Sequence, residues 1–424
     1  MARTARAGAA RRGALLALAL LAFAAATQPA AAQIGALPVP PAKAAAAPPP
    51  RAAPSPAPAA PSSGAAAPSS DPDKVFRIGG LLPLSGNKGA AGRALQAGVE
   101  MAVRDVAPQR LPGYKVETLW EDTQCGDVPA LRAAAKLARA NVDVMIGDVC
   151  SAASLAALSV ANKFQVPLVS PASTSTALST AGDYFFRTVP SDRYQGRYAA
   201  LKMGEVGIKT ALVAYAESSY GQSLAFSFVA AFTRDGGKAY PLQLGRSGNN
   251  TGAVVAELMR VKPDGIYIAS NDVAQMAEVI KAVRSTKLPV KIFGGDSMMD
   301  AAVATAAGAN ATLGVRGSDV SFGSPEFQAA FKEFTAGKNI SYISKAAHAY
   351  DAAVALMEAF RRAPEPKDGP EILAELGSVK FNGKSGPIEF DEYGDLNYDP
   401  VSSYDVTEFD KDGQIRVLET SRRR

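Results

Sequence analysis

Histidine, cysteine and tryptophan are almost absent from this chain. Its 424 residues hold one His, two Cys and one Trp. The single His, His348, excludes a Ser-His-Asp site that needs a second essential His, and any metal site with two His ligands. Two Cys are too few for a disulfide-built scaffold, and Cys125 and Cys150 lie too far apart for a C-x-x-C motif. No G-x-x-x-x-G-K-[ST] loop occurs, so the chain is not a P-loop ATPase. No G-x-S-x-G elbow occurs either, and Gly86, Gly89 and Gly92 lack the G-x-G-x-x-G spacing of a dinucleotide loop. These glycines read instead as a tight strand-to-helix turn. No nucleophile–base pair and no metal cluster remains, so neither an enzyme nor a cofactor is expected. No later segment is long and apolar enough to cross a bilayer.

Charge of either sign is also unconcentrated. The formal net charge of +5 comes largely from Arg3, Arg6, Arg11 and Arg12. Without them it is +1, and from Asp71 onward it is −1. Nucleic-acid binding, which needs clustered Lys and Arg, is not expected. The terminal Arg422, Arg423 and Arg424 read as a solvated tail.

Those four arginines precede an apolar run over 14–26 and a small-residue Ala30-Ala31-Ala32 site. This is the layout of an export signal over 1–32, too short in its apolar part for a membrane anchor. Arg11-Arg12 permits a twin-arginine route, although the surrounding residues fit the general secretory route better. No Cys sits near the cleavage site for lipid attachment. Residues 33–70 are almost all Ala, Pro and Ser, which predicts an extended tether with no core. The mature protein is expected to be soluble and outside the cytoplasm.

From Val75 the texture becomes that of a folded α/β protein, and 47% apolar content over this length suffices for a sizeable core. Strands are predicted over 75–84, 114–121, 142–147 and 167–170, with helices over 92–106, 128–140 and 151–164 between them. The rhythm restarts with strands over 210–215, 238–244, 265–269 and 290–294 and helices over 221–235, 251–261 and 273–285. Two doubly wound parallel-sheet lobes follow from this alternation. Later helices over 325–336 and 344–362 fit best if the chain crosses back to the first lobe. His348 falls in the helical pattern of 344–362 and reads as structural. Trp120 reads as a packing residue.

Ligands of open parallel sheets bind beyond the carboxyl ends of strands. Hydroxyls collect there: Ser151 after the strand 142–147, and Ser173, Thr174 and Ser175 after 167–170. Ser151 also opens a helix, where free N–H groups suit a carboxylate. It is equally a plain capping residue.

Several segments resemble a known family at this point. They are Ile146-Gly147-Asp148-Val149-Cys150-Ser151, Val166-Pro167-Leu168-Val169-Ser170-Pro171-Ala172-Ser173-Thr174 and Tyr184-Phe185-Phe186-Arg187-Thr188-Val189-Pro190-Ser191-Asp192. With Gly80-Leu81-Leu82-Pro83-Leu84-Ser85-Gly86 and Phe390-Asp391-Glu392-Tyr393-Gly394-Asp395, they look like the substrate-binding proteins of branched-chain amino-acid ABC transporters. These belong to the type I periplasmic binding proteins. The resemblance runs from about 75 to about 413.

The resemblance implies two lobes joined by three crossovers, near 188–191, 318–321 and 399–402. Lobe 1 would combine 75–190 with 320–398, and lobe 2 would combine 191–319 with 399–424. It implies capture of a small amino-acid-like ligand in the periplasm and delivery to a membrane permease. Ser151, Ala172, Ser173 and Thr174 would surround the ligand carboxylate. Tyr220 would be a lid, and Asp296 would hold the ligand ammonium. Cys125 and Cys150 match a disulfide of the family. At the position where the family often carries a cleft aromatic stands Ser270-Asn271-Asp272. Asp272 either caps the helix that follows or adds a second acid to the cleft. Either way an aliphatic side-chain pocket is in doubt, and a polar amino acid, an amide or another small organic acid remains open. A ligand sensor on the same fold is the alternative function.

Overall fold

The computed structural model describes residues 74–320, 322–341, 343–397 and 404–419. The expected export signal (1–32), the tether (33–70) and the third crossover (399–402) lie outside them.

Two sheets organise the described residues. The first holds β1 (Val75–Leu82), β2 (Lys115–Asp122), β3 (Val144–Gly147), β4 (Leu168–Ser170) and β5 (Phe185–Arg187). Its order is β2-β1-β3-β4-β5 and every pairing is parallel. The second holds β6 (Thr210–Ala216), β7 (Lys238–Leu244), β8 (Gly265–Ala269), β9 (Lys291–Gly294) and β10 (Arg316–Val320). Its parallel part runs β7-β6-β8-β9-β10, the same winding as the first sheet. A hairpin of β11 (Lys380–Asn382) and β12 (Pro387–Glu389) stands apart. The antiparallel pair β13 (Tyr404–Phe409) and β14 (Ile415–Glu419) extends the second sheet from β10. The doubly wound α/β class expected from the alternation is therefore present twice. Strands such as β3 and β8 are buried at every residue, as parallel strands covered on both faces must be.

Most elements coincide with the sequence pattern, and the exceptions are instructive. The first helix runs Gly89–Arg110, longer than the predicted 92–106. Gly92 therefore lies in its first turn, not before it. A Cβ there would meet the Pro83 carbonyl oxygen at 1.8 Å, so the close return of helix over strand end requires glycine.

The helix Lys345–Arg362 packs on the helix Gly89–Arg110 and on the first sheet, within one apolar cluster that also holds Phe76, Ile78 and Phe331. It is buried without a break from Ala346 to Phe360. A helix buried on all sides belongs inside a core, and each of Leu356, Met357 and Phe360 contributes roughly 2 kcal/mol by burial. Two of its buried polar residues are tied to neighbouring segments. His348 Nδ1 lies 2.5 Å from the Thr188 carbonyl oxygen, and Thr188 Oγ1 donates to the His348 carbonyl at 2.9 Å. Asp351 accepts from Lys384 N (2.7 Å), Ser385 N (2.7 Å) and Ser385 Oγ (2.6 Å), which fixes the turn between β11 and β12. Trp120 lies on β2 and packs against the same core.

Candidate functional site

The carboxyl ends of both sheets face a cavity of about 550 Å³. That volume is ordinary for a small-molecule site. Many of the wall residues follow a strand. Val149, Cys150 and Ser151 follow β3, and Ala172 and Thr174 follow β4. Tyr220 follows β6, Asn271 follows β8, and Asp296 and Ser297 follow β9. Asp319 stands on β10 itself. This is the placement that the topology of a doubly wound sheet dictates, here supplied from two sides.

One wall suits an anion. The helix Ser151–Phe164 points its start at the cavity, and its N-cap residue, Cys150, offers no side-chain acceptor. First-turn N–H groups of such a helix carry partial positive charge. Ser151 Oγ accepts from Ser175 N at 3.2 Å, so it fixes the neighbouring loop while facing the cavity. That loop is held from behind by Arg187, which is fully buried. Its Nη1 donates to the Ser175 carbonyl (2.9 Å) and the Ser173 carbonyl (3.4 Å), its Nη2 to Ser179 Oγ (2.7 Å) and its Nε to Asp395 Oδ1 (2.7 Å). Five donors in one rigid fork make such a clamp possible.

The opposite wall carries charge already partnered within the chain. Asp296 Oδ1 accepts from Tyr220 Oη at 2.7 Å, and Oδ2 is bonded by Lys345 Nζ. Burial alone would raise the Asp296 carboxyl, but the Lys345 charge and the Tyr220 hydrogen bond outweigh it and hold it below the usual range. For Lys345, burial lowers the ammonium, and the Asp296 and Asp319 charges more than reverse that. Both groups are therefore ionised at neutral pH. Burial pushes the Asp319 carboxyl up to about 7 against the opposing pull of Lys345. It does the same to Asp192, behind Thr174, whose carboxylate oxygens make no well-formed hydrogen bond; the nearby Thr174 and Ser223 hydroxyls only partly offset the burial.

Of the residues expected at the site, Ser151, Ala172, Thr174, Tyr220 and Asp296 line the cavity. Ser173 does not. Its hydroxyl donates to the Asp148 carbonyl at 2.9 Å and meets Ser154 Oγ at 2.8 Å, which ties the ends of β3 and β4 together behind the wall. Asp272 is also corrected. Its Oδ1 accepts from Gln275 N at 3.1 Å as the N-cap of the helix Val273–Ser285, and it is not on the cavity wall. Of its two readings the cap is the one realised, and Asn271 takes the wall position instead. Cys125 and Cys150 form the disulfide, with Cα atoms 5.3 Å apart, which anchors the loop after β2 to the start of the helix Ser151–Phe164. Lys345, Asp319 and Arg187 were not singled out from the sequence. Lys345 lies at the start of a helix that the pattern predicts, but nothing local marks its side chain as facing a cleft.

Across 75–414 the chain matches the family described as periplasmic binding protein. The leucine-, isoleucine-, valine-, threonine- and alanine-binding protein of Pseudomonas aeruginosa is 23% identical over 346 residues, covering 78% of this chain and 88% of the relative. The Leu/Ile/Val-binding protein of Escherichia coli is 22% identical over 310 residues, covering 70% and 82%. Among solved structures, a leucine-binding protein from Thermotoga maritima superposes with a TM-score of 0.72 at 27% identity, covering 81% of this chain and 97% of that one. A solute-binding protein of an ABC transporter from R. palustris, in complex with benzoate, gives 0.68 at 23% identity, covering 82% and 96%. With the match running from β1 through β13, the chain belongs to the periplasmic binding protein family.

Proposed function

We propose that this protein captures a small carboxylate-bearing ligand between two lobes and delivers it to the permease of an ABC transporter. The observation that carries the reading is the convergence of two sheets' carboxyl ends on one cavity whose first wall is a helix start without a capping side chain. Ser151, Ala172 and Thr174 receive the carboxylate, and Tyr220 closes over it from the second sheet. Lobe 1 comprises 75–190 with 320–398, and lobe 2 comprises 191–319 with 399–424. The shared apolar cluster of the helices Gly89–Arg110 and Lys345–Arg362 supports the first grouping. The pairing of β13 with β10 supports the second. Binding shifts the lobes toward the closed arrangement because the ligand touches both walls only there. No catalytic turnover is assigned: His348 is buried against Thr188, away from the cavity. The relatives named for amino-acid binding, and the family's name, support a periplasmic transport role.

The test is thermal unfolding and calorimetric titration of the mature chain against amino acids, alkanoates and aromatic acids. A ligand at a hundredfold excess over its Kd must stabilise the native state by about 2.7 kcal/mol. Thr174→Val is expected to weaken that ligand at least tenfold. A panel without any stabilising compound rejects the capture of small carboxylates. Delivery is read from ligand-dependent stimulation of the cognate transporter's ATPase in liposomes, and no stimulation rejects it.

A further inference from the structure

The acids on the cavity wall are Asp296, Asp300 and Asp319, and each already has partners in the chain. Asp296 is bonded by Tyr220 and by the Lys345 ammonium. Asp300 accepts from Ala302 N at 2.9 Å and lies 3.7 Å from Lys88 Nζ. Asp319 accepts from Val320 N (2.8 Å) and from Ser344 Oγ (3.1 Å), next to Lys345. The position where an amino acid's ammonium would find a carboxylate is thus filled by a side chain of the protein. Lys345 is largely buried there, its side chain 15% exposed and Asp296's 5%.

A second ammonium entering this wall would meet Lys345 at close range in a poorly hydrated site, where like charges repel strongly. Apolar side chains form much of the remaining lining, beside polar Arg93, Asn271, Asn339 and Ser341. The apolar ones include Leu95, Val149, Met299, Phe322, Ile340 and Ile343. The anion-receiving wall is unaffected by Lys345's pairing with Asp296.

From this arrangement we propose that Lys345 serves as a built-in substitute for the ligand ammonium, so that the cleft selects carboxylic acids with an apolar body and no α-amino group. The inference rests on the carboxylate-capture reading and narrows it to a ligand class. Des-amino acids keep the carboxylate that the first wall receives and bring no charge to the second.

Matched pairs test it by isothermal titration: 4-methylpentanoate against leucine, and 3-phenylpropanoate against phenylalanine. The wild-type protein is expected to bind the des-amino member of at least one pair at least tenfold more tightly. Lys345→Met leaves Asp296 without its cation and is expected to lower that ratio at least tenfold. Lys345→Gln, which keeps a donor to Asp296 but no charge, gives the same reading if the Met variant does not fold. An amino acid bound more tightly than its des-amino partner by wild-type protein overturns the ligand class and leaves carboxylate capture intact. An unchanged ratio in a folded Lys345 variant overturns the role of Lys345. Wild-type protein that binds none of the four compounds overturns the ligand class, while carboxylate capture stands or falls with the wider panel.

Discussion

Replacing Arg187 tests the construction of the carboxylate-facing wall. The guanidinium is fully buried and joins Asp395, Ser179 and the carbonyls of Ser173 and Ser175. In Arg187→Met, the Asp395 side chain, 11% exposed, keeps a charge without its partner. Removing one member of a buried pair costs about 3–5 kcal/mol, chiefly because the other charge is stranded. The two carbonyls lose their donor as well, at about 1–3 kcal/mol for each that stays dry. The expected loss is therefore about 4 kcal/mol or more. Arg187→Met/Asp395→Asn removes the stranded charge and should recover about 2 kcal/mol of it. Arg187→Lys keeps a charge opposite Asp395, yet an ammonium is a point donor and cannot span both Asp395 and the Ser175 carbonyl. It should cost about 2 kcal/mol and weaken ligand binding at least tenfold, because Thr174 sits between the two clamped carbonyls. Urea unfolding followed by circular dichroism gives the stabilities, and titration gives the affinities. If Arg187→Met unfolds within about 0.5 kcal/mol of the parent, as ordinary surface changes do, the clamp is not what holds this loop.

Other expectations follow from single contacts. Replacing both Cys125 and Cys150 by Ala opens a loop with a sequence separation of 25 and should cost about 3 kcal/mol; an equal thermal shift on adding reductant to the parent checks that the bridge is responsible. Gly98→Ala should destabilise by about 1–3 kcal/mol, although Ala is the better helix former by about 1 kcal/mol, because the added Cβ would lie 2.5 Å from the Ala346 carbonyl oxygen; a gain in melting temperature contradicts the packing. Stability should also fall as pH rises from about 5 to about 8. Burial lifts Asp148, Asp192 and Asp319 to about 7 in the folded state. Between an unfolded value near 4 and that folded value, the native state holds protons that the unfolded chain has released. Each such group then lowers stability by up to about 1.4 kcal/mol per pH unit. Glu278 and Glu358 act in the opposite direction: despite the burial that would raise them, their hydrogen-bond donors hold both near 2. Their stabilisation is present above about 4.5 and lost as pH falls toward 2. A melting curve flat from pH 5 to 8 contradicts the burial of the three aspartates as ionisable groups.

The parts of the fold legible in the sequence are those whose pattern is local. Helices Ser151–Phe164, Thr251–Val261 and Val273–Ser285 and strands β7 and β8 coincide with the predicted ranges, since period and turn residues mark them directly. Strand β10 does not announce itself. Its sequence, Arg-Gly-Ser-Asp-Val, has neither alternation nor an apolar run. It becomes a strand because β9 and β13 pair with it on both sides, a tertiary condition. The same contrast holds in the site. Ser151 and Thr174 follow from the rule that ligands sit beyond strand ends, and Ala172 from the family resemblance. Ser173 sits in the same run, yet its hydroxyl is spent on joining two strands, and no spacing distinguishes it from Thr174. Lys345 pairs with an acid from the other sheet, 49 residues away, and only the folded chain brings the two together.

That pairing also bears on how the halves meet. A ligand shifts an equilibrium only through its different affinity for the two arrangements, so contacts that the protein makes across the cleft set the starting point. Lys88 and Asp300 contribute little, at 3.7 Å with Asp300's side chain 40% exposed. Ser219 Oγ donates to Ser175 Oγ at 2.9 Å, and Thr176 N donates to Ser223 Oγ at 2.8 Å, a polar seam at the cleft edge. Groups of this kind exchange one hydrogen bond for another with water, so each favours the closed form by only about 1 kcal/mol. Lys345 and Asp296 differ, because they are desolvated when paired and hydrated when apart. Their attraction in the closed form is strong, but the cost of drying them nearly cancels it. In the proposed closure, the pair therefore adds specificity without locking the cleft, and the ligand's own contacts are expected to decide the balance.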